Sequence, residues 1–460
     1  MRVEKKFKKS GYFWLPGHEN KKIPGVLTIE NDGEIELEIV GHFNEDFKIL
    51  EEDNLDRILG NIEEDGFVTL EDCFYINKNY TFGGISKSKI FVHIVLSGAT
   101  WGKDEIVTFN TFSFSVDCLD EWIGISGIEV QHDLEHNTTT IIYNPPKPIS
   151  FSLKNDMKIG IHFDYNLPGS PNLTTAKITQ NSYFKIISEN LYGLEEFITI
   201  AHQITNFMSF AMDGVVALKN VSATSTEISS TRRNGRIYNV PILIYFQSIS
   251  YVKEIPNKKP HNMIFTFNTI RNNAEKIFNN WLNAYESLSP AINLYFSTKV
   301  NSFQFLEGKF LALAQGLETY HRRISKETIM EQHIYEELVK KILEGCPDEH
   351  KDWLKGRLLH GNEINLGKRI KNIIEPFKEL LGTSKERSKL IRNIVDTRNY
   401  LTHYSENLES FSVEGENLWE LCQKLELIFT LHFLKIIGFT EEEIKLACKK
   451  NLPLRQKFNK

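Results

Sequence analysis

Through much of the first 190 positions, apolar and polar residues alternate with a period of two. The breaks between runs carry turn-forming residues, as expected of half-buried strands. The clearest stretch runs from residues 26–29 through Asn31-Asp32-Gly33 into Glu34-Ile35-Glu36-Leu37-Glu38-Ile39. An Asp-Gly pair tolerates positive φ, so this spacing predicts a hairpin with its Ile and Leu side chains turned inward. Residues 67–70, 90–96, 109–116, 138–143 and 159–163 read as further strands, rich in β-branched or aromatic residues and bounded by Gly, Pro or Asn. The pattern predicts an antiparallel, β-rich, sandwich-like domain over residues 1–190.

The period then changes. Leu194, Phe197, Ile198, Ala201, Ile204 and Met208 recur at steps of three and four, predicting a helix that ends near Asp213-Gly214. Strand-like runs return over 215–267, so residues 191–300 read as a mixed connecting part. Beyond about residue 270 the pattern is helical almost throughout. Thr383-x-x-Glu386 and Thr440-x-x-Glu443 have the form of capping boxes that open two of these helices. The fold class expected is α+β: a β-rich N-terminal part, then an all-α part over 301–460.

Composition adds limits. In 460 residues, 41% hydrophobic and 25% charged positions describe an ordinary globular chain, long enough for two or three domains. No apolar run reaches the roughly 18 residues of a membrane span, and the opening Met1-Arg2-Val3-Glu4-Lys5-Lys6 does not lead into a signal-like apolar segment. The five scattered cysteines form no C-x-x-C pair. A reducing cytoplasmic location, no membrane and no cysteine-bound zinc are therefore expected. The net charge of −6 is unevenly spread: residues 1–300 hold 28 Lys+Arg against 36 Asp+Glu, and residues 301–460 hold 26 against 24. Between Lys368 and Arg398, nine basic residues meet four acidic ones, which suits either a phosphate-bearing partner or a solvated helix face.

Most familiar catalytic signatures are missing: the chain has no G-x-x-x-x-G-K-[ST], G-x-G-x-x-G, H-E-x-x-H or G-x-S-x-G. His132 and His136 lie between strand-like segments, where a four-residue spacing does not converge two rings on one metal. Gly83-Gly84 with Lys87 and Lys89 reads as a hairpin loop. No metal or cofactor is expected. Trp14, Trp101 and Trp122 fit either a buried sandwich core or a ligand face.

One segment sets pattern against chemistry. At about 100° per residue, Leu390, Ile391, Ile394, Val395 and Leu401 share a stripe with Arg398 at its centre. A guanidinium there needs a carboxylate such as Asp396 or Glu318, a partner subunit, or a cleft that admits phosphate. Asn399 and His403, four apart, share the flank beside it. By chance, a chain of this composition would carry R-x-x-x-x-H about 0.4 times, and R-N-x-x-x-H only about 0.03 times.

Arg398-Asn399-x-x-x-His403 resembles the R-N-x-x-x-H signature of HEPN ribonucleases. Residues 310–322, with Glu318, Tyr320, His321 and Arg322, resemble the long early helix of the ApeA-like HEPN domain. Gly11-Tyr12-Phe13-Trp14-Leu15-Pro16 and Leu119-Asp120-Glu121-Trp122 resemble landmarks of the ApeA N-terminal domain. The resemblance implies a C-terminal HEPN helical bundle and a metal-independent endoribonuclease of bacterial anti-phage defence, acting on RNA and by family analogy on tRNA. It casts Arg398 as the phosphate holder, Asn399 as an orienting residue and His403 as the proton-transfer group. Glu318 and His321 are supporting candidates, His321 as an RNA contact, and Lys389 and Arg392 are candidate RNA-binding cations. Since each chain supplies one motif histidine where acid and base call for two, a homodimer is expected, with the Arg398 stripe as its interface. The N-terminal region would sense a phage-derived trigger or restrain the nuclease. The competing reading is a non-catalytic dimerisation or RNA-binding adaptor with a ligand-binding sandwich, in which His403 is structural.

Overall fold

The computed structural model describes every residue except 44–52, 82, 155, 170–173, 233, 301–304 and 459–460. It contains two compact units, Met1–Leu282 and Asn283–Lys460. The division lies within the long helix Ala274–Val300, ahead of the residue-300 line drawn from the sequence.

Six strands of the first unit close on themselves. They are β1 (Phe7–Trp14), β2 (Ile23–Ile29), β3 (Ile35–Val40), β4 (Asn54–Ile62), β5 (Gly66–Asn79) and β6 (Lys87–Ser97). Antiparallel pairing runs β1–β2–β3–β6–β5–β4 and returns to β1. The inward residues alternate as expected: Ile35, Leu37 and Ile39 are buried while Glu38 and Val40 are exposed. Phe13, Leu27, Ile58, Val68, Leu70 and Ile90, all fully buried, fill the interior. Gly60 faces that interior, where a Cβ would stand 2.6 Å from the Phe13 ring.

This architecture corrects the sandwich-like expectation. The long β6 divides one edge between two partners: Lys87–Phe91 pair with β3, and Ile94–Ser97 pair with strand Ile242–Phe246. From there the sheet continues through Leu218–Thr224, Thr108–Val116, Thr179–Gly193, Met157–Asn166 and Ile149–Ser152. Helix Leu194–Ala211 packs on this extension, with Phe197 stacked on Phe112 at 5.7 Å. Trp14, Trp101 and Trp122 are at most 4% exposed. They belong to the core, and the ligand-face reading falls. Arg2 and Asp117 form a buried bidentate pair at 2.8 and 3.0 Å, and Asp117 also accepts from the Ala217 amide.

The second unit is helical. Its early helix, Leu306–Ile324, lies against three others: the long helix Gly415–Ile437, the short helix Leu366–Ile374, and the motif helix Ser384–His403. Phe310, Leu313 and Leu317 meet Ile370, Ile373, Ile394, Leu425 and Ile428 in one apolar core. Both capping boxes form, at Thr383/Glu386 and Thr440/Glu443. Between the early and short helices, helices Gln332–Glu344 and Lys351–Leu358 bury no residue. The base of this excursion is tied by Asn362, which bonds the Ile329 and Met330 amides.

Candidate functional site

The motif helix begins where Thr383 and Glu386 exchange hydrogen bonds: the Thr383 amide donates to the carboxylate at 2.6 Å, and the Thr383 hydroxyl accepts from the Glu386 amide at 3.3 Å. It ends at Tyr404, which takes up the left-handed conformation at φ 49°. His403 is thus the last helical residue. It is exposed, and its ring has no hydrogen-bond partner among the described residues.

The helix turns a different line to the core than the apolar letters suggest. Its buried residues are Leu390, Ile394, Thr397 and Leu401. Thr397 is fully buried, and its hydroxyl satisfies itself by accepting from the Val413 amide at 3.1 Å. This moves Arg398 off the stripe centre to its flank, where its side chain is 35% exposed. Leu390, Ile394, Thr397 and Leu401 are buried within the chain, while Ile391, Val395 and Arg398 of the expected interface stripe stay half-buried.

Arg398 has two partners. Its Nη2 donates to Glu318 Oε2 at 3.4 Å, and its Nη1 donates to Asn399 Oδ1 at 3.2 Å. Of the two carboxylates considered from sequence, Glu318 is the one that meets it. The other oxygen of Glu318 accepts from Arg322 at 3.0 Å. Arg322 also bonds Glu363, which reaches Arg369 at 3.3 Å. The chain Arg398–Glu318–Arg322–Glu363–Arg369 therefore alternates in sign across three helices and the loop before the short helix. The hydrogen bond from Arg322 holds the Glu363 carboxyl below the usual range.

His321 does not act as an RNA contact in this arrangement. It is 3% exposed, with Nδ1 3.4 Å from Arg369 Nη1 and Nε2 3.3 Å from Asn372 Nδ2. Burial first, and then the Arg369 charge, lower its pKa and favour the neutral ring. Tyr320 likewise faces inward, bonded to His432 at 3.0 Å. Lys389 and Arg392 are exposed, and neither takes part in an ion pair among the described residues. At 100° per residue they fall on the same side of the helix as Asn399 and His403. Lys389 also lines a cleft of about 600 Å³ together with Asn393, Asn417 and Lys424.

Glu363 and Arg369 escaped the sequence reading because they are supplied after a long excursion. Arg322 was within reach, since Glu318-x-x-x-Arg322 is a helical i,i+4 pair. His132 bonds Thr139 and His136 bonds Asp133, both on the hairpin formed by Ile128–Asp133 and Thr138–Tyr143. Among the described residues no group of three or more His, Cys, Asp or Glu side chains is placed to hold a metal ion. No helix among them is long and apolar enough to cross a membrane.

An exposed imidazole and a half-exposed guanidinium carried on one helix are groups that chemistry on a phosphodiester can use. Two family models match the chain: ApeA N-terminal domain 1 over residues 8–281, and Apea-like HEPN over residues 311–443. No curated protein and no solved structure matches it.

Proposed function

The chain belongs to the family in which an ApeA N-terminal domain precedes an Apea-like HEPN domain, and on that footing we propose that it is a metal-independent endoribonuclease of anti-phage defence. HEPN domains of this kind denote RNase activity in defence proteins. The observation that carries the reading is the state of the motif: Arg398 is fixed by Glu318 and Asn399 while His403 stands exposed and unpartnered one turn on.

In the proposed reaction a ribose 2′-oxygen attacks the adjacent phosphorus. The O2′–P bond forms, the P–O5′ bond breaks, a base takes the 2′ proton, and an acid gives a proton to the leaving 5′-oxygen. The products are a 2′,3′-cyclic phosphate and a 5′-hydroxyl. Arg398 presents a planar fork to the phosphorane oxygens. His403 transfers protons, the role to which an imidazole side chain is suited. Base and acid at once require two imidazoles, so a homodimer that brings two copies of the motif to one cleft is part of the proposal. Lys389 and Arg392 extend the positive surface along the helix. Loops of tRNA, whose unstacked nucleotides can reach in-line geometry, are the favoured substrate. The N-terminal unit senses infection or restrains the nuclease.

The test incubates purified full-length protein and its His403→Ala variant with total bacterial RNA in EDTA, from uninfected and phage-infected cells, and maps cut sites and end chemistry. Discrete cuts ending in cyclic phosphate, absent from the variant, are expected. Cleavage that survives His403→Ala, or that EDTA abolishes, overturns the mechanism. Silence in both extracts favours the adaptor reading.

A further inference from the structure

The first unit is acidic, with 27 Lys+Arg against 35 Asp+Glu over residues 1–282, yet three of its six arginines fall within five positions, Arg232-Arg233-Asn234-Gly235-Arg236. Arg232, Asn234, Gly235 and Arg236 form the tip of a small hairpin standing apart from the main sheet. Strands Ser229–Thr231 and Ile237–Asn239 pair antiparallel, with Ser230 opposite Tyr238. The tip is closed by the Arg232 amide on the Arg236 carbonyl at 2.9 Å and the Gly235 amide on the Arg232 carbonyl at 2.8 Å. Gly235 takes φ 79°, which this turn requires.

The base of the hairpin is fixed while its tip is bare. Ser225 is fully buried, the Thr226 amide donates to Asn110 Oδ1 at 2.7 Å, and the Val240 amide donates to the Ile228 carbonyl at 2.9 Å. Beyond that point every described residue from Ser229 to Asn239 is exposed. Among the described residues, neither Arg232 nor Arg236 has a carboxylate partner, although surface arginines in an acidic unit have many within the same chain to choose from. The Arg232 guanidinium instead lies over the Tyr238 ring, 5.1 Å from its centroid. Ile237, at 68% exposure, adds an apolar surface beside it.

We propose that the hairpin built from Ser229–Thr231 and Ile237–Asn239 is an RNA-binding element, Arg232 and Arg236 taking backbone phosphates and the Arg232–Tyr238 platform taking an unstacked base. The chemistry selects this partner: guanidinium forks match phosphate oxygens. A solvent-facing aromatic ring carrying a guanidinium plane is a surface on which unpaired bases stack. The hydroxyls of Ser229, Ser230 and Thr231 supply further donors to phosphate or ribose. The inference deepens the nuclease reading and rests on it, since it assigns the N-terminal unit a direct hold on the RNA substrate.

The experiment uses full-length protein carrying His403→Ala, so that RNA stays intact, and measures anisotropy of a labelled single-stranded RNA across a salt series. Arg232→Ala/Arg236→Ala is expected to weaken binding about tenfold. It should also flatten the log–log salt dependence by up to about 1.4, at roughly 0.7 per lost single-strand phosphate contact. Tyr238→Ala is expected to weaken single-stranded RNA more than a duplex of equal length. Unchanged affinity and slope in the double variant overturn the assignment, as does a parent protein that binds no RNA. Competition by polyglutamate as strong as that by RNA also overturns it, marking the tip as a surface for acidic protein. The nuclease reading fails separately: cleavage by the His403-intact double variant would report on catalysis whatever its affinity.

Discussion

Protonating His432 should loosen the helical unit in a pH window that can be worked out from its contacts. The ring is 4% exposed and sits between two partners: Tyr320 Oη at 3.0 Å from Nδ1 and the Ile373 carbonyl at 2.9 Å from Nε2. A carbonyl only accepts, so Nε2 carries the hydrogen, and Nδ1 accepts from the tyrosine hydroxyl. The imidazole is therefore neutral, and burial lowers its pKa from 6.5 to about 4. Between those values the unfolded chain binds a proton that the folded chain does not, so stability rises with pH. The stabilisation is complete above about pH 6.5 and is lost as pH falls toward 4. At 1.36 kcal/mol per pKa unit, the loss reaches about 1.4 kcal/mol at pH 5.5 and about 2.5 kcal/mol at pH 4.5. In a domain of this size that lowers the melting temperature by about 5–10 °C at pH 4.5. Calorimetric melting of the full chain and of His432→Gln, from pH 7.5 to 4.5, provides the assay. Glutamine keeps a donor toward Ile373 and does not titrate. It leaves the Tyr320 hydroxyl without its acceptor, so the variant starts less stable, but its loss with acid should be smaller by the stated amount. Glu426, whose buried carboxyl is raised by burial but held net low by Lys299, Lys309 and Lys457, acts alike in both proteins and cancels. Equal acid sensitivity in the two proteins, or an imidazole resonance titrating near 6.5, would refute the reasoning.

Two further outcomes separate catalysis from scaffolding. Glu318→Gln removes the charge that orients Arg398 and leaves only Asn399 on it, so the cleavage rate should fall about tenfold, or about 1.4 kcal/mol. The effect should appear in kcat more than KM and be partly restored by Glu318→Asp. Because the pair is partly solvated, the melting point should move by only about 2–4 °C, and wild-type cleavage by Glu318→Gln would remove Glu318 from any positioning role. Thr383→Ala removes the hydroxyl half of the capping box, leaving the amide of residue 383 on the Glu386 carboxylate, and should cost about 1 kcal/mol in urea unfolding. Cleavage per folded molecule should be unchanged, since His403 lies at the opposite end of the helix; a catalytic loss at full folding would contradict this.

What could be read from the sequence was what short-range physics decides. The Asp32-Gly33 hairpin, the helix from Leu194 and the two capping boxes each depend on residues within about four positions of one another, and each forms. Barrel closure depends instead on β1 meeting β4 and β3 meeting β6, pairings that alternation cannot choose between. The site divides in the same way. Arg398, Asn399 and His403 are set by one helical stretch, and Glu318–Arg322 by another, but no local pattern brings Glu363 and Arg369 between them. The instructive case is the phase of the motif helix. Counting only apolar letters leaves Thr397 out of the core and places Arg398 at its centre, where the guanidinium has to be explained by a partner subunit. Thr397 can be buried because a backbone amide at Val413 meets its hydroxyl, and that single long-range hydrogen bond rotates the reading. Arg398 then needs no partner subunit to be stable, since Glu318 and Asn399 already hold it. The case for a dimer therefore rests on the chemistry, on one motif histidine per chain for a reaction that moves two protons.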